Sequence, residues 1–206
     1  IANDITINGN NNTITYTGTN RAITVESSAN GADLTINNLN VVAANAQRGI
    51  NYNTTGSFTL NNVDVTASTY AVNLPGSSDG ATVTITDSAL TANIALNVWG
   101  ENATVNVTDS DLTSVDNNTT EGYAAVMLNN DGVTYAEGTV ININGGTIDV
   151  TGSACEDSVV SLNATSTGII SISESTVVNG ETADFVAAIR YENGTSYSFT
   201  SLADAV

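Results

Sequence analysis

The chain has 206 residues, 41% hydrophobic and only 5% aromatic, with 21 acidic residues against three cations and a formal charge of −18. Nucleic acid and anionic membranes are bound chiefly through Lys and Arg, so this composition excludes both as partners; the acidity is dispersed among abundant Val and Ile, which excludes a disordered acidic tail. No apolar run approaches the roughly 20 residues of a membrane-spanning helix, and Cys155, standing alone, excludes an intramolecular disulfide and a cysteine-rich metal site.

In chain order, the first strand-like segment is Ile5-Thr6-Ile7, which opens without an initiator Met, as a piece of a longer protein would. It introduces a recurring phrase: two apolar residues one apart, then a third five positions after the second. The full copies are Leu34, Ile36, Val41; Phe58, Leu60, Val65; Val83, Ile85, Leu90; Val105, Val107, Leu112; Ile141, Ile143, Ile148; and Ile170, Ile172, Val177. Between them runs a second phrase, Ile23/Val25, Ile50/Tyr52, Val72/Leu74, Leu96/Val98, Val126/Leu128, Val160/Leu162 and Ile189/Tyr191. Apolar-x-apolar pairs put alternate side chains on one face of a strand. Repeats at this period build solenoids, in which no single coil can bury its own apolar edge.

Two strands per repeat, with Val41, Val65 and their equivalents marking a third wall, predict an all-β fold: one parallel β-helix of about six to seven coils over residues 1–185. Crossovers between parallel strands are right-handed in nearly all cases, so the coil is expected to be right-handed. Two insertions interrupt the period, Val115 to Tyr123 and Asn130 to Gly138. Residues 186–206 break the pattern. A hairpin is predicted around Asn193-Gly194, then a short helix capped by Thr200 or Ser201, as a lid on the open end of the solenoid or the start of a following unit.

Two positions after the second strand residue stands a ladder of Asn38, Asn62, Asp87, Asp109, Gly145 and Glu174. Such residues suit a stacked polar turn. Asp87 and Asp109, one coil apart, are also candidate catalytic carboxylates, and with Asp111 they offer oxygen ligands for calcium. The remaining enzyme routes close: without His or Lys there is no Ser-His-Asp triad, Cys-His pair or Schiff base. The outward positions of the first strand (Asp33/Thr35, Ser57/Thr59, Thr82/Thr84, Thr104/Asn106, Val140/Asn142, Ile169/Ser171) predict a flat strip of hydroxyls and amides. That strip suits glycan hydroxyls or ordered water. The second strand is expected to add Thr24, Asn51, Asn73, Asn97, Met127, Ser161 and Arg190 at its own outward positions. Trp99, beside Glu101 and one coil from Tyr70, is a candidate sugar-stacking residue; Tyr123 and Tyr135 in the insertions are others.

The strands in GATVTITDSALTA, ENATVNVTDSDLTS and GTVININGGTIDVTG resemble parallel β-helix repeats of the pectin-lyase-like superfamily, most of all those of large adhesin-like surface proteins of gut-type bacteria. The closing IRYENGTSYSFTSLADAV is similar to segments that introduce repeat units in such proteins. The resemblance implies an extracellular or cell-surface location and a structural or adhesive role, as a monomeric domain of a larger protein with a glycan or host-surface ligand. Its enzymatic branch uses Asp clusters with calcium and an Arg or Lys base. Here Asp87 and Asp109 are the nearest match, with no arginine in register beside them. The expected function is therefore a stalk or adhesive surface without a required cofactor, and the alternative is a polysaccharide lyase or glycoside hydrolase.

Overall fold

The computed structural model describes residues 3–115, 124–128, 136–151, 160–162, 167–179, 181–182, 187–190 and 196–199. Parallel strands wind into a β-solenoid of about six turns. Its first wall is made by β1 (Ile5–Thr15), β3 (Leu34–Ala43), β5 (Ser57–Ala67), β7 (Thr82–Thr86), β10 (Thr104–Thr108), β13 (Val140–Asn144) and β16 (Ile169–Ile172). A second wall is β2 (Arg21–Val25), β4 (Arg48–Tyr52), β6 (Tyr70–Leu74), β9 (Ile94–Val98), β12 (Val126–Leu128) and β15 (Val160–Leu162). The third carries β8 (Ala89–Ala92), β11 (Asp111–Ser114), β14 (Thr147–Val150) and β17 (Val177–Val178).

The long strands β1, β3 and β5 turn the corner between the first and third walls without breaking, which makes one 12-stranded sheet of the two. β5 pairs with β7 through Ser57–Asn61 and with β8 through Asp64–Thr66. Later coils split at this corner for a local chemical reason. Where β3 and β5 have Leu39 and Val63 after the corner, the next two coils have Ser88 and Ser110. Each serine hydroxyl donates to the carbonyl two residues back (Thr86 or Thr108, both 2.8 Å) and accepts a backbone N–H from the preceding coil. The serine thus replaces the strand ladder at that point.

Both apolar phrases fall into register. Ile7, Ile36, Leu60, Ile85, Val107, Ile143 and Ile172 form one inner ladder, and Ile23, Ile50, Val72, Leu96, Val126 and Val160 another. Tyr52 stacks on Phe58 at 5.0 Å between ring centres and donates its hydroxyl to the Ala32 carbonyl at 2.8 Å. The third ladder departs from expectation in its last copy, where Val178, not Val177, pairs with Ile148. The other coils turn on a left-handed Asn, Asp or Gly, but Glu174 does not adopt that conformation. The last corner instead takes one further residue and closes with a Thr176 N–H to Ser173 carbonyl bond.

At the C-terminal side β18 (Glu181–Thr182) pairs antiparallel with β17. β19 (Ala187–Arg190) and β20 (Ser196–Phe199) form the expected antiparallel hairpin, with β20 close to β15 at the end of the second wall. Ile189 belongs to this hairpin and adds no rung to the second wall. The predicted short helix, Cys155, Tyr123, Tyr135 and most of both insertions lie outside the described residues. Among the described residues no helix is long and apolar enough to cross a membrane.

Candidate functional site

The corner ladder is explained by backbone geometry. Asn38, Asn62, Asp87, Asp109 and Gly145 have φ of 51°, 54°, 49°, 46° and 75°. Left-handed backbone is costly for most L-residues and is visited mainly by Gly, Asn and Asp, whose short polar side chains bond locally. In the first coil Asn10 and Asn11 take the same conformation in a wider turn. Asp87 and Asp109 therefore stand where the chain bends, exposed at the corner. Asp109 Oδ1 lies over Gly145, where an added Cβ would meet it at 2.2 Å.

Asp111 is not drawn toward them. It sits outward on the third wall and accepts a hydroxyl bond from Thr147 at 2.9 Å. Among the described residues no three carboxylate, thiol or imidazole side chains approach one another closely enough to hold a metal ion. Asp87, Asp109 and Asp111 thus do not form one three-carboxylate cluster. The left-handed turn accounts for an Asp at each of these two corners.

The outward strip on the first wall is built as expected. Thr6, Thr35, Thr59, Thr84, Asn106, Asn142 and Ser171 occupy one column, each in register with the next. Parallel strands lie ~4.8 Å apart, so the column repeats at that interval along the solenoid. On one side runs Asp33, Ser57, Thr82, Thr104, Val140 and Ile169; on the other Asn8, Asn37, Asn61, Thr86, Thr108 and Asn144. Amides bond from coil to coil, Asn37 to Asn8 and Asn142 to Asn106, both at 3.0 Å. These side chains are exposed or half-buried, and apart from Val140 and Ile169 in one flanking column they are polar.

The outer side of the second wall differs from expectation. Asn51, Asn73 and Asn97 are buried there, at 2%, 0% and 0% exposure. They form an amide ladder in which Asn97 donates to Asn73 and Asn73 to Asn51 (both 2.8 Å), and Asn51 to Thr24 at 3.4 Å. A buried amide is retained only when it is hydrogen-bonded, and stacking supplies the partners. The next rung is Met127, so the ladder ends there and Asn97 Oδ1 is left without a partner.

Met127 joins Tyr70, Ile94 and Ala124 in a small apolar cluster apart from the main core. The Tyr70 ring meets Trp99 edge-on at 6.4 Å. The two begin at opposite ends of neighbouring strands, so their rings converge over the column that holds Asn73 and Asn97. Sequence reading paired these two aromatics correctly but expected an open platform; Tyr70 is only 7% exposed and Trp99 is half-buried. Glu101 takes no part in the pair. Its backbone N–H binds Asp79 Oδ1 at 2.9 Å in the turn beyond.

Sequence reading missed the arginines of this face. Arg21 and Arg48 pair in register, and Arg48 pairs with Tyr70 on the next strand, its guanidinium carbon 5.6 Å from the ring centre. Burial, and then the neighbouring Arg21 charge, lowers the Arg48 pKa from its ordinary value. Sequence could show only that Arg21 and Arg48 stack, each two residues before the paired Ile23 and Ile50. Strict alternation would have turned them inward, and it is broken here, since a Cβ on Gly49 would meet the core side chains Val65 and Ala67.

Comparison with models of protein families, with curated proteins and with solved structures gives no match.

Proposed function

We propose that this chain is a structural and adhesive β-helix module of a bacterial surface or secreted protein, and that it holds glycan on the outward face of its first wall. The observation that carries this reading is the in-register column Thr6, Thr35, Thr59, Thr84, Asn106, Asn142 and Ser171, flanked by polar residues over its first four coils. A rigid sheet presents these hydroxyls and amides at fixed intervals with little side-chain entropy left to lose. That arrangement suits a repeating ligand whose own polar groups are hydroxyls. The formal charge of −18 keeps copies apart and favours a ligand that is neutral along most of its length.

The lyase or hydrolase alternative draws no support from Asp87 and Asp109, whose placement the corner requires. Ice binding would call for a more uniform threonine array; here the columns pass to Asn106 and Asn142, and beside them to Val140 and Ile169.

The test is a glycan array probed with the native chain and with the triple variant Thr59→Ala/Thr84→Ala/Asn106→Ala, which changes only side chains on the outer face. Retention of neutral oligosaccharides by the native chain, lost in the triple variant with an unchanged circular dichroism spectrum, is the expected result. Silence of the native chain across the array would leave a stalk without adhesive function.

A further inference from the structure

The chain has 21 acidic residues and three arginines, and two of those arginines occupy adjacent rungs of one column. In so acidic a molecule the simplest fate of an arginine is a carboxylate partner. Neither guanidinium has one: among the described residues Arg21 and Arg48 make no ion pair and no side-chain hydrogen bond. Both Nε atoms are enclosed without an acceptor, while each side chain as a whole stays partly exposed.

Two like charges one strand spacing apart repel, and enclosed N–H donors without acceptors are rare in folded proteins. Arg48 is held in place all the same, by the face of Tyr70. The result is a short row along the outer side of the second wall: Arg21, Arg48, Tyr70 and, edge-on to Tyr70, Trp99. Guanidinium forks recognise planar oxyanions. A polyanion would be repelled strongly by the acidic remainder of the molecule, a single negative group in a neutral chain far less.

We propose that Arg21 and Arg48 form a second binding site, distinct from the first-wall strip, for a saccharide that carries a single carboxylate. The acid group bridges the two guanidiniums; Tyr70, 7% exposed with Arg48 over its face, holds Arg48 in place and does not itself take the sugar. No bond is made or broken; this is recognition only.

The experiment is titration of the native chain with a disaccharide ending in glucuronic acid, with the methyl ester of the same sugar, and with inorganic sulfate. The acid should bind at least about tenfold more tightly than the ester, the equivalent of one charge-assisted hydrogen bond. That preference should shrink as salt rises through about 0.15 M. Arg21→Gln and Arg48→Gln should each abolish it. Arg21→Gln leaves the contact between Arg48 and Tyr70 in place, so its loss of binding cannot be assigned to collapse of the aromatic cluster. Equal binding of acid and ester, or no binding of either, overturns the proposal, as does sulfate binding as tightly as the disaccharide. Neutral-glycan binding on the first wall is read out separately and should not change in either arginine variant, so failure of one site is distinguishable from failure of the other.

Discussion

A few buried polar side chains fix the interior at the residue scale. Asn73 both donates and accepts within its ladder, so truncating it removes two amide bonds and strands groups on both neighbours. Asn73→Ala should cost about 2–3 kcal/mol. Asn97→Ala removes one of those bonds together with an acceptor that already lacks a partner, and should cost less than half as much. Urea unfolding of the two variants checks the ratio. Tyr52 links stability to pH. Burial first, and then the charges of Asp33 and Asp4, raise its pKa far above the ordinary value. Below about pH 10 the phenol is protonated in both states and its contribution is full. Above that pH the unfolded chain ionises first, so stability falls as pH rises toward the folded pKa, by up to about 1.4 kcal/mol per pH unit. Tyr52→Phe should remove that part of the slope, and should cost about 1 kcal/mol at neutral pH through the lost bond to Ala32. Stability of both proteins measured between pH 7 and roughly 11.5 tests the sign.

Strands and corners obey different rules, and the sequence was legible to different depths in each. Period-two alternation carried the inner ladders, because core-facing apolar residues repeat wherever a strand does. The strip on the first wall followed from the same alternation. The second wall did not, because its outer side is buried as well: Asn51, Asn73 and Asn97 have the composition of surface residues, and only tertiary burial turns them into a ladder. Asp87 and Asp109 were open to a chemical reading because a sequence does not display φ. Left-handed backbone explains them and makes a prediction. Asp87→Asn and Asp87→Gly should leave stability within about 0.5 kcal/mol, while Asp87→Val should cost about 1–2 kcal/mol. A calcium site would instead make Asp87→Asn costly when calcium is present. Thermal unfolding of the three variants, with and without calcium, decides between the two. The slip at Val178 belongs here too, since one Glu at a corner that other coils give to Asn, Asp or Gly lengthened the turn and shifted the strand that followed.

The whole molecule is a stack in which the inward residues keep the repeat and the outward residues are free to differ. Resemblance to β-helix repeats anticipated the fold and said little about ligands, because one architecture hosts many activities. What distinguishes this chain lies on two outer faces: the polar columns of the first wall, and the arginine and aromatic row of the second. The central claim is that the first wall is the face that meets the ligand. Backbone amide chemical shifts recorded while a neutral oligosaccharide is added test it most directly. Saturable shifts clustered on Thr35, Thr59, Thr84, Asn106 and Asn142, with Asp87, Asp109 and Asp111 unmoved, are the predicted result. Shifts centred on the Asp87–Asp109 corner, or none at all with any neutral glycan, would contradict it.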